Sequence, residues 1–139
     1  MGMDDVEAIR RLKARYFRLM DTKDWAAMRD VFTDDVVMDM TGAGGRLITG
    51  GDEFMSGLQE VLAGATTVHH GHMPEIDITS DTTATGIWAL HDIVIWPGGT
   101  RLDGYGHYRE TYEKTAAGWR IATSRLTRLH ADFSTGESG

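Results

Sequence analysis

The sequence contains no cysteine. Disulfides, thiolate metal sites and a cysteine nucleophile are therefore excluded. Only two prolines interrupt the chain, Pro74 and Pro97. No run approaches the ~20 apolar residues of a membrane span. The N-terminal residues lack the basic and apolar regions of a signal peptide. Basic residues are outnumbered: 14 Lys and Arg face 21 Asp and Glu, for a formal charge of -7. That balance argues against a nucleic-acid partner, which needs a basic face to neutralise phosphate. What remains is ordinary globular composition, 41% apolar and 25% charged over 139 residues. We expect one domain over residues 1–133, a short flexible tail over 134–139 and a cytoplasmic location, without a membrane partner. The unusual element is six histidines, three of them within four residues.

Apolar periodicity predicts the elements. Val6, Ile9, Leu12, Tyr16 and Leu19 recur at three- and four-residue steps, so Asp4 to Met20 reads as a helix. Arg10, Arg11, Lys13, Arg15 and Arg18 are expected on its polar face. Thr22 or Asp24 can cap a short helix from Trp25 to about Phe32. Thr33-Asp34-Asp35 reads as a turn and Val36 to Met40 as a strand. Gly42 to Gly45 is a flexible loop, and Arg46 to Thr49 a short strand. A third helix carries Phe54, Met55, Leu58, Val61 and Leu62 on one face. Strands follow over Thr66–Met73 and Glu75–Thr79, with a bend or bulge at Pro74. Further strands cover Thr83–Trp96, Tyr105–Lys114 and Trp119–His130. Helices first, then long strands joined by hairpin turns, indicate α+β. The expected architecture is a cone-shaped, curved antiparallel or mixed sheet wrapped around the N-terminal helix, with a pocket at its open end. The outer face of such a sheet needs cover, which favours a homotrimer or homodimer.

Several residues could carry chemistry. Tyr16 sits amid the apolar face of the first helix, either as a core tyrosine or as a phenol aimed into the pocket. Asp21 stands near that helix's C-terminus, where an ionised carboxylate costs ~0.3–1 kcal/mol against the helix dipole. It either caps the next helix or serves as a functional acid. His69-His70-Gly71-His72 can bring at most two ligands together locally, where a metal needs three, because adjacent strand residues point to opposite faces, so a metal is the least favoured reading. One of them is either a packed histidine or a general acid or base. Asp92 shares a strand face with Trp88, Leu90, Val94 and Trp96. A carboxylate there needs a donor or must protonate. A histidine partner or a backbone or arginine partner would each serve. Arg125 and Arg128 occupy opposite faces of the last strand, so at most one enters the pocket. Phe17, Trp88, His107 and Tyr108 are candidate substrate-binding neighbours.

These residues fall in recognisable strings. They are Lys13-Ala14-Arg15-Tyr16-Phe17-Arg18-Leu19-Met20-Asp21, Val68-His69-His70-Gly71-His72-Met73-Pro74-Glu75-Ile76, and Thr82 to Asp92. Tyr112-Glu113-Lys114 followed by Gly118-Trp119 completes the set. Over nearly its whole length the chain resembles the SnoaL-like branch of the NTF2-like superfamily. It is most similar there to bile acid 7α-dehydratases and more distantly to scytalone dehydratases. The resemblance implies an α+β barrel-like fold and cofactor-independent elimination on a small hydrophobic cyclic substrate such as a steroid, polyketide or aromatic precursor. It places the catalytic roles on Tyr16, Asp21, His69, Asp92 and Arg128, with no metal, and makes Asp92 the partner of His69. The same residues could serve a cyclase or isomerase. A non-catalytic subunit, like the small subunit of ring-hydroxylating dioxygenases, would share the fold.

Overall fold

The computed structural model describes residues 2–135. The tail expected over 134–139 lies outside the described residues from 136 onward. Helix α1 (Gly2–Asp21) buries Ile9, Leu12, Tyr16, Phe17, Leu19 and Met20 along one side. Asp5 in its first turn accepts hydrogen bonds from Lys114 Nζ and Trp119 Nε1, both at 3.0 Å, and so ties the helix start to the last hairpin. Lys13 departs from the expected polar face: it is fully buried. It lies one turn beyond Ile9 and three residues before Tyr16, and so belongs to the inward stripe. Asp24 caps α2 (Trp25–Arg29) by accepting from the Ala27 N–H at 3.3 Å.

Among the described residues, six strands form one curved, unclosed mixed sheet in the order β2-β1-β6-β5-β4-β3. They are β1 (Phe32–Asp39), β2 (Leu47–Thr49), β3 (Thr66–Ile78), β4 (Thr83–Ile95), β5 (Arg101–Thr115) and β6 (Gly118–Ser134). Only β1 and β6 run parallel; the other pairs are antiparallel. The expected turn at Thr33–Asp35 is instead the irregular start of β1, where the register against β6 shifts between Phe32 and Val37. Arg29 draws both Asp34 and Asp52 to itself, at 2.7 and 2.8 Å, and holds that segment extended. Pro74 does not end its strand. It sits in a bulge between His72 and Glu75 with Met73 at φ 42°. β5 and β6 extend beyond their expected ends, because their outer residues pair from Arg101↔Ser134 to Thr115↔Gly118.

Helix α3 (Gly51–Val61) and α1 cover the concave face, and Ile9, Met28, Phe32, Val36, Met38 and Ile121 fill the space between. Alternation along β4 and β5 sends Trp88, Leu90, Asp92 and Val94, and Leu102, Gly104, Tyr108, Glu110 and Tyr112, to this inner side. The packed end lies under the β5–β6 hairpin. The other end stays open between α3, β2 and the 3-10 turn Thr41–Ala43.

Candidate active site

That open end is a cavity of about 300 Å³, at the small end of the ~300–1,000 Å³ range of small-molecule sites. Met20, Phe54, Leu58, Val94, Leu102 and Leu126 give it apolar walls. Polar side chains reach it from five elements, Tyr16 of α1, His69 of β3, Asp92 of β4, Tyr108 of β5 and Arg128 of β6, and Arg46, just before β2, lines it as well. A wider hollow between Trp25, Arg29, Asp52 and Gln59 is open to solvent and gathers no such set.

Helix α1 ends beside the start of β3, and this brings Asp21 onto His69. Asp21 Oδ1 lies 2.7 Å from His69 Nδ1, and its Oδ2 accepts the His69 backbone N–H at 2.9 Å. Thr67 Oγ1 donates to the same Oδ1 at 2.9 Å. Burial raises the Asp21 carboxyl, but the bonds from the His69 ring, the His69 backbone and Thr67 outweigh it and hold the group below its ordinary value. An ionised Asp21 accepts only, so Nδ1 carries a proton, and in the neutral imidazole Nε2 then keeps its lone pair. Phe17 stacks on the imidazole, with ring planes 14° apart, and limits its rotation.

Asp92 stands directly across the β3–β4 ladder from His69. It is not the imidazole's close partner. Its Oδ2 lies 3.9 Å from Nε2, while both of its oxygens are held by Arg128, the longer arm at 3.0 Å. A planar guanidinium matches a carboxylate with two parallel bonds, and one histidine nitrogen cannot match that geometry. Asp21 therefore takes the place expected of Asp92. Gly104, facing the pair from β5, leaves room for the clamp, since a Cβ there would run into both Arg128 and Asp92.

The Tyr16 and Tyr108 hydroxyls are 3.4 Å apart at the cavity wall. Burial pushes both phenols well above their ordinary value, so each remains an O–H donor at any working pH. Behind them the Lys13 ammonium lies 3.8 Å from the Tyr16 ring centre and 3.6 Å from that of Tyr108. Glu110 accepts from Lys13 at 2.8 Å, from Ser124 at 2.6 Å and from Tyr112 at 2.9 Å. Burial lowers the Lys13 ammonium, and Glu110 opposes that shift.

Three expected neighbours are not brought to the cavity. His107 alternates to the outer face of β5, opposite Thr127. Trp88 faces inward but spends its indole N–H on Tyr112 at 2.9 Å, beneath the site. Phe17 supports His69 from behind rather than lining the space. Tyr108 does line it. The reading from sequence missed Lys13, Glu110, Thr67 and Lys23. Lys13 was detectable from its place in the apolar stripe and Glu110 from its place between Tyr108 and Tyr112 in the alternation. Nothing in the local pattern marked Thr67 or Lys23.

A model of the SnoaL-like domain matches residues 2–125. A protein named probable cyclase FGR4, from Gibberella zeae, is 24% identical over 134 residues, covering 88% of this chain and 89% of its own. Among solved structures, a candidate scytalone dehydratase from Novosphingobium aromaticivorans superposes with a TM-score of 0.86 at 21% identity. It covers 94% of this chain and 88% of its own. The hexachlorocyclohexane dehydrochlorinase LinA-type3 from Novosphingobium barchaimii superposes with a TM-score of 0.82 at 15% identity, over 98% and 94% of the two chains. At these identities the superpositions speak for the fold.

Proposed function

The chain belongs to the SnoaL-like family, and from that premise we propose that it is a cofactor-independent lyase acting by acid–base elimination on a hydrophobic cyclic hydroxy-carbonyl compound. One observation carries the reading: the Asp21–His69 pair opens its free Nε2 toward an apolar cavity that also presents two protonated phenols. The named relatives, a cyclase, a dehydratase and a dehydrochlorinase, support the reaction class. The small volume favours one or two rings over a whole steroid.

In this reading His69 Nε2 takes the proton next to the substrate carbonyl. The C–H electron pair forms the enolate, whose oxygen is met by the Tyr16 or Tyr108 hydroxyl. Asp21 stabilises the imidazolium that forms, as a carboxylate does for the base of a hydrolytic triad. Collapse of the enolate expels the hydroxyl on the neighbouring carbon, which leaves as water with the proton returned from the imidazolium. Arg128 neutralises Asp92, so a second carboxylate beside Nε2 does not compete for that proton. The apolar walls exclude bulk water and strengthen each of these interactions.

The test is a panel of one- and two-ring β-hydroxy ketones incubated with wild type and with His69→Ala, with loss of one water followed by mass spectrometry. Dehydration by wild type and its loss in His69→Ala are expected. Full turnover by His69→Ala would sink the mechanism. A product of unchanged mass from any panel member would favour the cyclase or isomerase reading, which starts with the same proton abstraction.

A further inference from the structure

Lys23 holds a backbone conformation that lysine seldom adopts. Its φ is 62°, in the left-handed region. It closes α1: the Asp24 N–H returns to Leu19 O at 2.9 Å and the Lys23 N–H to Met20 O at 3.2 Å. This paired closure normally places glycine at the position Lys23 occupies, because a Cβ there costs about 1–2 kcal/mol. The side chain that stands there is half-buried, and its ammonium reaches Thr67 Oγ1 at 3.0 Å and Met20 O at 3.3 Å.

The polarity of the chain of bonds is forced. An ammonium donates and never accepts. Thr67 Oγ1 must therefore accept from Lys23, and its single proton goes to Asp21 Oδ1 at 2.9 Å. Thr67 is itself buried, so no water substitutes readily for either partner. Asp21 in turn faces the His69 ring.

We infer that Lys23 and Thr67 are positioning residues that set the proton affinity of the Asp21–His69 pair. Donation from Thr67, oriented by the Lys23 charge, draws negative charge off Asp21 and moderates its pull on the imidazolium. The other charged or titratable groups near the pair are Asp92 of β4, already clamped by Arg128 of β6, and the phenols Tyr16 of α1 and Tyr108 of β5. None of these contacts Asp21. The inference rests on His69 being the base, but its test needs no turnover.

The experiment is an NMR titration of protein carrying 13C at the aspartate Cγ, with the Asp21 signal identified by its absence in Asp21→Asn. That signal reports the step of the coupled pair in which the Asp21 carboxyl takes up its proton. Lys23→Gly keeps the left-handed turn at no steric cost and removes the side chain with its ammonium. Its midpoint is expected to rise by about half a unit or more, and that of Thr67→Val further. Thr67→Ser, which keeps the hydroxyl, is expected to match wild type. Unchanged midpoints in both Lys23→Gly and Thr67→Val would overturn the inference. A shift in Thr67→Val alone would also overturn it, because Lys23 would then be a bystander. Failure of the lyase assay alongside the expected shifts would refute the reaction and leave the relay standing.

Discussion

Arg128 grips both oxygens of Asp92 while Asp92 Oδ2 remains 3.9 Å from His69 Nε2. The guanidinium therefore decides whether the buried carboxylate sits beside the base as an inert ion pair or as a competitor for its proton. Arg128→Met would leave Asp92 buried and unpaired. A loss of roughly 3–5 kcal/mol in stability is expected by denaturant unfolding. Turnover is expected to fall as well, because the freed carboxylate can capture the protonated imidazole. Pairing the change with Asp92→Asn should recover most of the stability. Equal stability of the single and double variants would contradict this.

Tyr16 illustrates a group whose burial sets its role. Its phenol is pushed above the ordinary tyrosine value, so it donates a hydrogen bond and does not act as a base. Tyr16→Phe is expected to lower turnover on a panel substrate about 10²–10³-fold, the scale of losing one oxyanion donor. The shape of the pH–rate profile should stay as in wild type, since Tyr16 titrates outside the working range. A lost basic limb in the variant would show that Tyr16 ionises during turnover.

Behind the phenols, Lys13 and Glu110 form an ion pair with no exposed surface on either side chain. Removing one member leaves a buried charge, so Lys13→Met is expected to cost about 3–5 kcal/mol in a urea titration. Glu110 keeps Ser124 and Tyr112 as donors, which places the loss at the lower end of that range. Lys13→Met with Glu110→Gln should be more stable than the sum of the single losses implies, because both charges go together. Strict additivity would mean the two groups do not interact.

The fold was legible because its signals were local. Period-3.6 apolar residues marked α1 and α3, and period-two alternation marked β4 so clearly that Asp92 stood out as the one carboxylate on an apolar face. Asp21, His69 and Arg128 were each named, but the pairing of Asp21 with His69 was not. Asp21 and His69 are 48 residues apart, and their meeting depends on how the end of α1 lies over β3. The resemblance to known dehydratases supplied the residue types but paired His69 with Asp92 rather than with Asp21. His107 went astray for a different reason. Its strand extends four residues earlier than Tyr105, and alternation along that strand, with Tyr108 inward, puts His107 on the outer face. Lys13 was misplaced because charge was taken as exposure, although its spacing from Ile9 and Tyr16 put it inside.

The Asp21 carboxyl also shapes the acid stability of the protein. In the folded chain it lies below its ordinary value, so the native state binds fewer protons there than the unfolded chain does. Its contribution is thus present above the ordinary aspartate value of ~3.9 and is lost as pH falls through the folded value. Asp5, Asp39 and Asp103 are shifted in the same direction, so acid unfolding alone does not isolate Asp21. The comparison with Asp21→Asn does. The stability gap between wild type and this variant, measured by denaturant unfolding at several pH values, should be widest near neutrality and narrow on acidification. A gap that stays constant down to the acid transition would show that Asp21 is no better stabilised in the folded chain than in the unfolded one. The hydrogen bonds from His69 and Thr67 would then serve to place the imidazole without holding the carboxylate's charge.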